Sequence, residues 1–416
     1  MTYKALVICA LFGLGCGDLT EKEGPVARSA LLREPAPQAS DADKAEVVAG
    51  GKQLALDLFR TTAPEATKNH VICPYAVSSV MAMIYAGARG DTEAQMAQAL
   101  HFTLPQDRLH TTINALDLQL FAHNSKDVLI EAVNSLWSQS GFPLQSLFLD
   151  TLAVNYGAGV NLLNFAGAPE DARRRINAAV AEQTQAQFPE FLPAGSIDSS
   201  VRLVLTATLH FRGDWLEPFV AAQPSASLFH LEDGSTVEAP TMVQYMRVPA
   251  FSDETTQAIA VPYKGNEMSM LFVAPTSGSL AALEQGLTST RLESITAAMT
   301  TNESVWLYVP RFSVKGAVVD LRQALEGLGM PLAFQPGVAD FSGMTGGSDL
   351  FLASVFEAAS VTINERGTDA FAAAGGALPG ADSSQMRFDR PFLFFIRENS
   401  TGTILFMGRV ADPRAN

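Results

Sequence analysis

The residues able to do chemistry in this chain are few and scattered. Six histidines, His70, His101, His110, His123, His210 and His230, lie far apart, and none has the His-Glu-x-x-His spacing that sets two imidazoles on one helix face around zinc. His210 falls on the polar-leaning face of an alternating stretch, where a hydrogen-bonded structural role is the simpler reading. There is no Gly-x-Ser-x-Gly nucleophile elbow, and Gly347-Ser348-Asp349 reads as a turn. No Cys-x-x-Cys pair and no phosphate-cradling glycine loop occurs. The chain therefore has no recognisable catalytic set, and neither a cofactor nor a metal is expected.

One stretch has a pattern of a different kind. From Asn364 to Asp382 the chain reads Asn-Glu-Arg-Gly-Thr-Asp-Ala-Phe-Ala-Ala-Ala-Gly-Gly-Ala-Leu-Pro-Gly-Ala-Asp, between two apolar segments, Ser360 to Ile363 and Phe388 to Arg397. Connections in compact domains are mostly short, so a long Ala/Gly-rich link between buried strands is unusual. Its small residues alternate. In an extended chain Thr368, Ala370, Ala372 and Ala374 share a face, small enough to enter a packed sheet, while Asp369 and Phe371 face the other way. Composition alone leaves both a flexible linker and an inserted strand open.

The elements that would hold this stretch are legible from periodicity. Val47, Leu54, Leu58 and Phe59 keep helical spacing up to Pro64, and Val77, Val80, Met81 and Ile84 form a second helical stripe. Thr92 with Gln95 predicts a capping box for a helix carrying Met96 and Leu100. Helices are also predicted from Leu147 to Tyr156 and from Arg173 to Glu182. Val133 to Ser140 reads as a strand, and Val201 to Phe211 alternates as a half-buried one. Lys264-Gly265-Asn266 marks a hairpin between Ala258–Tyr263 and Glu267–Val273, and Ser304 to Pro310 followed by Phe312 adds another strand. Helices crowd the first half and strands the second, which gives an α+β class without internal repeats.

Composition sets outer limits. With 416 residues, 47% of them hydrophobic, a large single core is possible. A net charge of −15 argues against nucleic acid or an anionic membrane surface as partner. Cys9 and Cys16 lie in the N-terminal segment and Cys73 stands alone beyond it, so no disulfide framework is expected. Lys4 followed by an apolar run to Gly15 reads as an export signal too short to span a bilayer, and no other run is long and charge-free enough to do so. Residues 17–45 lack periodicity and read as a disordered tether.

Several motifs in order resemble one family. Glu365-Arg-Gly-Thr-Asp-Ala-Phe-Ala-Ala-Ala is similar to the hinge of the serpins, Glu-Glu-Gly-Thr-Glu followed by alanines. Asn69 to Phe102, Ile176-Asn177, Trp215 after Arg212-Gly-Asp, Phe388 to Phe395 and Phe406 to Pro413 resemble further serpin segments, covering nearly all of 46–413. Leu14-Gly15-Cys16 resembles a bacterial lipoprotein cleavage box with Cys16 lipidated, although Gly13 stands where that box prefers leucine. The implied organisation is a signal over 1–16, the tether over 17–45 and a serpin domain over 46–416, with a large central sheet and an exposed reactive-centre loop.

The resemblance implies a monomeric suicide inhibitor that takes a serine protease as its partner, or alternatively a cysteine protease, with any membrane contact made only through the lipid. Hinge residues would be Glu365, Gly367, Thr368, Ala370, Ala372 and Ala374. Counting from Glu365 puts the reactive bond at Ala381-Asp382, counting back from Pro391 gives Gly380-Ala381, and Asp382-Ser383 would imply an Asp-directed enzyme. Leu378, Pro379 and Gly380 before the bond suit an elastase-like or subtilisin-like pocket, while Gly375 and Gly376 weaken strand propensity. The alternative is a non-inhibitory serpin-fold binding or carrier module. The chain departs from the family where the sheet opens near Trp215: Cys73, Ala76, Ala207 and Glu357 replace a polar network of two serines, an asparagine and a histidine. Glu357 then reads either as a solvated strand-end charge or as part of a rewired latch that needs a partner.

Overall fold

A computed structural model describes residues 25–184, 186–219, 226–301, 304–369 and 384–415. Along the chain come β1 (Val26–Ala27), α1 (Asp41–Thr62), β2 (His70–Ile72), α2 (Pro74–Tyr85), α3 (Gly90–Ala99), α4 (Gln106–Phe121) and β3 (Val128–Gln139). α5 (Ser146–Tyr156), β4 (Val160–Leu163), α6 (Pro169–Gln183) and β5 (Leu203–Asp214) follow. The strand-rich half holds β6 (Ala226–His230), β7 (Thr236–Met246), β8 (Ala250–Ser252), β9 (Thr256–Pro262), β10 (Met268–Pro275), β11 (Val305–Pro310), β12 (Phe312–Lys315) and β13 (Val319–Asp320), with short helices between them. Last come β14 (Ser354–Glu357), β15 (Ser360–Ile363), β16 (Gly367–Thr368), β17 (Gln385–Arg387), β18 (Phe392–Glu398) and β19 (Ile404–Val410).

Among the described residues three sheets result. The largest runs β1-β4-β3-β5-β16-β15-β12, with β14 joined to β5 and β13 to β14. A second runs β2-β19-β18-β10-β9-β8 and a third β17-β11-β7-β6. The main core gathers α2, whose Val77, Val80, Met81 and Ile84 are fully buried, with the apolar faces of β5, β10, β18 and β19. A separate cluster lies under α6, where Ile176 and Val180 meet Trp137, Val204 and Phe356 of the large sheet. With helices on one face and core on the other, β5 is buried on both sides from Leu203 to Leu209. That departs from the half-buried alternation expected, since layers on both faces override the period of two.

Two expectations need correction. Residues 25–45 are not tether: β1 extends the large sheet at β4 (Val26 opposite Asn161), and the Glu34 N–H donates to the Val154 carbonyl at 2.9 Å. Arg33 donates to Asn114 Oδ1 at 2.7 Å and to the buried Asp117 at 3.0 Å. The segment is held by backbone pairing and by polar side chains, Arg33 with Asp117 and Asp43 with Arg108, rather than by an apolar stripe, so periodicity does not reveal it. Thr92 and Gln95, in turn, form no capping box. α3 begins at Gly90, which turns at φ +55°, and this puts Thr92 inside the first turn. There Thr92 Oγ1 accepts from the Asp340 N–H at 2.9 Å, and Gln95 Oε1 accepts from the Leu332 N–H at 3.1 Å.

Candidate functional site

Along one edge β5 meets two different neighbours. β14 lies parallel beside its first half, Ser354 opposite Val204 and Glu357 opposite Ala207. After Ala358-Ala359 the chain forks away, and β15 pairs with β12 instead, Ile363 opposite Phe312. The opening at the far end of β5 is filled by β16, with Gly367 opposite Asp214, Thr368 opposite Gly213, and Thr368 also opposite Ile363. Among the described residues no ladder pair covers Leu209–Arg212 on this edge.

The turn into β16 is fastened at each carbonyl. Trp215 Nε1–H donates to the Asn364 carbonyl at 2.9 Å, the Trp215 N–H to that of Arg366 at 2.8 Å, and the Phe219 N–H to that of Glu365 at 2.8 Å. Asn364 closes it as an Asx turn, its Oδ1 accepting from the Arg366 N–H at 2.9 Å. The Glu365 carboxylate is buried, and its Oε1 accepts from Arg311 Nε at 2.6 Å. Arg366 and Lys264 meet Asp214 at 3.2 and 3.5 Å, and Lys264 reaches Asp127 at 3.3 Å. At Gly367 a Cβ would lie 2.0 Å from the Gly213 carbonyl oxygen, so the two backbones approach as only glycine permits.

Thr368 points into the molecule and is buried, its hydroxyl 2.6 Å from that of Tyr263. Tyr263 stacks on Trp215, centroids 4.6 Å apart at 13°, and meets Phe211 edge-on at 4.9 Å. Burial holds the Tyr263 hydroxyl well above its ordinary pKa, so it stays protonated and able to donate. Asp369 follows at φ +53°, its N–H donating to the Thr362 carbonyl at 2.9 Å. Burial raises the pKa of its carboxyl while nearby His210, 3.9 Å away, pulls it down. His210 sits between Glu131 and Asp369, its Nδ1 3.5 Å from Glu131 Oε2 and without a hydrogen-bond partner among the described residues.

The other substituted positions gather lower on the same edge. Cys73, Ala76, Ala207 and Glu357 are all buried. Glu357 Oε1 accepts from the Cys73 N–H at 2.8 Å, which ties the N-terminus of α2 to β14. The solvated strand-end charge is thus overturned, because Glu357 is 1% exposed and helix and sheet close over it. Burial pushes its carboxyl up to about 8, the Cys73 N–H offsetting part of the rise. Burial likewise raises the Cys73 thiol, with Glu357 adding to the effect, so the thiol is not an activated nucleophile. Trp215 belongs with the hinge rather than with this group. Ala370, Ala372, Ala374, Leu378, Pro379, Gly380, Ala381, Asp382 and Cys16 lie outside the described residues.

This architecture has relatives. The family model "Serpin (serine protease inhibitor)" matches residues 49–413. The chain belongs to the serpin family. Leukocyte elastase inhibitor of Xenopus tropicalis is 34% identical over 371 residues, covering 86% of this chain and 97% of that protein. Serpin B10 of Papio anubis is 31% identical, covering 87% and 98%. Among solved structures, the native state of the thermophilic serpin tengpin superposes with a TM-score of 0.83 at 22% identity, over 93% of this chain and 99% of that one. Thyroxine-binding globulin in complex with thyroxine gives 0.78 at 26%, over 88% and 99%. The serpin fold, helices with large β-sheets, is that of this chain.

Sequence reasoning missed Tyr263, Arg311 and Gly213, which complete the hinge seat. Each lies in a different strand region: Gly213 pairs with β16 in the large sheet, Tyr263 follows β9 of the second sheet, and Arg311 stands between β11 and β12, so only the packing of separate sheets brings them together. The one available signal was Gly213 itself, a glycine inside a strand, which marks close backbone approach.

Proposed function

We propose that this serpin is a suicide inhibitor of serine proteases with an elastase-like or subtilisin-like pocket. The observation that carries this reading is β16: the hinge sits at the mouth of the opening between β5 and β15, with a glycine and a buried threonine as its first two inserted residues. A protease serine attacks the Ala381 carbonyl, the Asp382 amine departs, and an acyl-enzyme ester remains. The freed hinge extends β16 down the edge of β5 and carries the tethered protease with it. Ala370, Ala372 and Ala374 fall on the face of Thr368, and burying a bulky or charged side chain there would cost several kcal/mol, on the order of the unpaired polar groups it would strand. The native state is held kinetically in this reading.

The test is a denaturing gel after mixing the protein with elastase or subtilisin. A boiling-resistant band at the summed mass, absent in Thr368→Arg, is the expected result, with heat stability rising after loop cleavage. Clean cleavage with neither complex nor stabilisation would overturn inhibition in favour of a binding or carrier module. Residues 1–16 are read as an export signal with Cys16 as the lipidated residue. Labelling by a fatty-acid probe that disappears in Cys16→Ala supports that reading, and equal labelling refutes it.

A further inference from the structure

The segment that opens the described chain and α5 together make an exposed apolar face. Leu147, Asp150 and Val154 follow one another along one stripe of α5, at helical spacing. The opening segment is strapped along that stripe. Ser29 donates to Asp150 Oδ1, the Glu34 N–H donates to the Val154 carbonyl at 2.9 Å, and the Arg33 side chain lies against Gly157 at the helix end. Leu31, whose N–H donates to Ser29 Oγ at 3.0 Å, and Leu32 come between these fastenings, while Leu147 precedes Asp150 by one turn. All three leucines are open to solvent, at 53, 86 and 73% exposure.

Charge is nearly absent around them. From Ala132 to Pro169 the sole charged residue is Asp150, which Ser29 engages, in a chain of net charge −15. The exposed residues leading into Leu147, namely Gly141, Pro143, Gln145 and Ser146, are neutral. The strap adds one exposed charge of each sign, Arg28 and Glu34, and the Glu34 carboxylate is turned back onto the Ala36 N–H at 3.0 Å. Arg33 is taken up by Asn114 and Asp117. Exposed Asp349 marks a margin, on the loop after Met344, whose carbonyl accepts from the Gln145 N–H at 2.7 Å. Single exposed leucines are ordinary, but leucines grouped on an uncharged surface mark a contact.

The chain before the described residues says what meets this face. Ten Cα steps separate Cys16 from Val26, at most about 35 Å. For a body with a radius of gyration of about 21 Å, a span that short turns the face bearing Val26 toward whatever holds Cys16. Leu32 is only six residues beyond Val26. We propose that Leu31, Leu32 and Leu147 enter the headgroup boundary of the bilayer in which Cys16 is anchored. Apolar side chains dipping into that boundary gain in proportion to the area they bury, and a neutral surround strips water from no ion as they do so. The lipid is zwitterionic, because the chain's net negative charge repels an anionic surface. The proposal rests on the lipidation of Cys16 for its nearness to the bilayer, but its readout is the contact itself.

The experiment places the full chain in phosphatidylcholine vesicles with or without bromine on the acyl chains, a contact quencher of tryptophan. Leu32→Trp and Leu147→Trp should each lose about half of their added fluorescence to the brominated lipid. Leu228→Trp, on the third sheet and 55% exposed, should lose almost none. The wild type supplies the background of the buried Trp137, Trp215 and Trp306. Melting temperatures should not move, since each substituted side chain is exposed. Admixed phosphatidylglycerol should weaken the quenching. Equal quenching at all three positions, or none at any, would overturn the contact. So would self-association of the Cys16→Ala protein that Leu32→Ser and Leu147→Ser abolish, since the face would then belong to a second copy. Failed fatty-acid labelling with quenching that persists in excess lipid would sink the anchor and keep the contact. Labelling without quenching would do the reverse, and the failure of both would sink both.

Discussion

Beside Gly213 and Asp214, β5 holds a two-residue strand through a glycine, a threonine hydroxyl and a ring of charged side chains. Six to ten residues earlier, beside Val204 to Ala207, it holds β14 directly, in a seam whose one carboxylate is bonded to the start of α2. One end of the edge is thus already parted and the other is closed. Carrying the register of β16 onward puts Ala370 opposite Phe211, Ala372 opposite Leu209 and Ala374 opposite Ala207. Ala207 is where Glu357 now sits. The first inserted residues would therefore add ladder bonds at little cost, and the strand would then have to displace β14, beginning at Glu357. If the protein acts as proposed, the parted end would set whether insertion starts, and the closed end how fast it finishes.

The sharpest way to break this contrast is at the parted end. Thr368→Arg puts a cation into the slot now shared with the Tyr263 hydroxyl, and should cut covalent complex formation more than about 100-fold while leaving loop cleavage intact. The gel described above reads both species, and a normal yield of complex would dissolve the distinction between the two ends.

At the closed end, pH is the probe. The Glu357 carboxyl is raised from 4.5 to about 8 by burial, so folding favours its neutral form. Its stabilisation is complete below pH 4.5 and is lost as the pH rises from there through about 8, a change on the order of 5 kcal/mol. Glu357→Gln, which keeps the acceptor for the Cys73 N–H, should flatten this dependence in denaturant titrations. The rate of insertion after cleavage should rise with pH in the wild type and not in the variant. Identical profiles would assign Glu357 no part in the seam.

Smaller effects should come from the hinge seat. Gly367→Ala forces a Cβ toward the Gly213 carbonyl and should cost about 1–3 kcal/mol of native stability, with faster proteolysis after Ile363. Arg311→Ala leaves the buried Glu365 carboxylate without its cation. With Arg311 itself partly exposed, the loss should be about 1–2 kcal/mol by thermal melting, and Arg311→Lys should recover part of it. If either substitution lowered stability without changing the pH dependence set by Glu357, the two ends would be separable units. A shifted pH profile would show them coupled.

How much of this was legible in the sequence varied with the physics involved. α1, α2 and the hairpin at Lys264–Asn266 follow from local periodicity and turn chemistry, which the folded chain only has to respect. The stretch from Glu365 to Thr368 could be singled out by its resemblance to the serpin hinge, whereas the alternation of small residues alone left a linker open as well. The partners of Glu365 and Thr368 could not, because Arg311 lies 54 residues and Tyr263 105 residues away in sequence. Glu357 misled for a different reason: a carboxylate at a strand end is usually solvated, and only the layer of α2 above it makes it a buried group. Thr92 and Gln95 had the right types for a cap, but Gly90 moved the helix start and freed both to bind neighbouring backbone.

The fastening of β1 to β4 bears on reach. Had residues 17–45 been a loose leash, an anchored inhibitor could roam far from the surface that holds it. With the chain pinned at Val26, and Cys16 as the anchor proposed above, ten Cα steps remain, about 35 Å at full stretch. That is comparable to the breadth of the serpin body itself, whose radius of gyration should be about 21 Å. The inhibitor would then police only a thin layer next to the envelope, meeting small secreted proteases there and turning away assemblies too bulky to enter it.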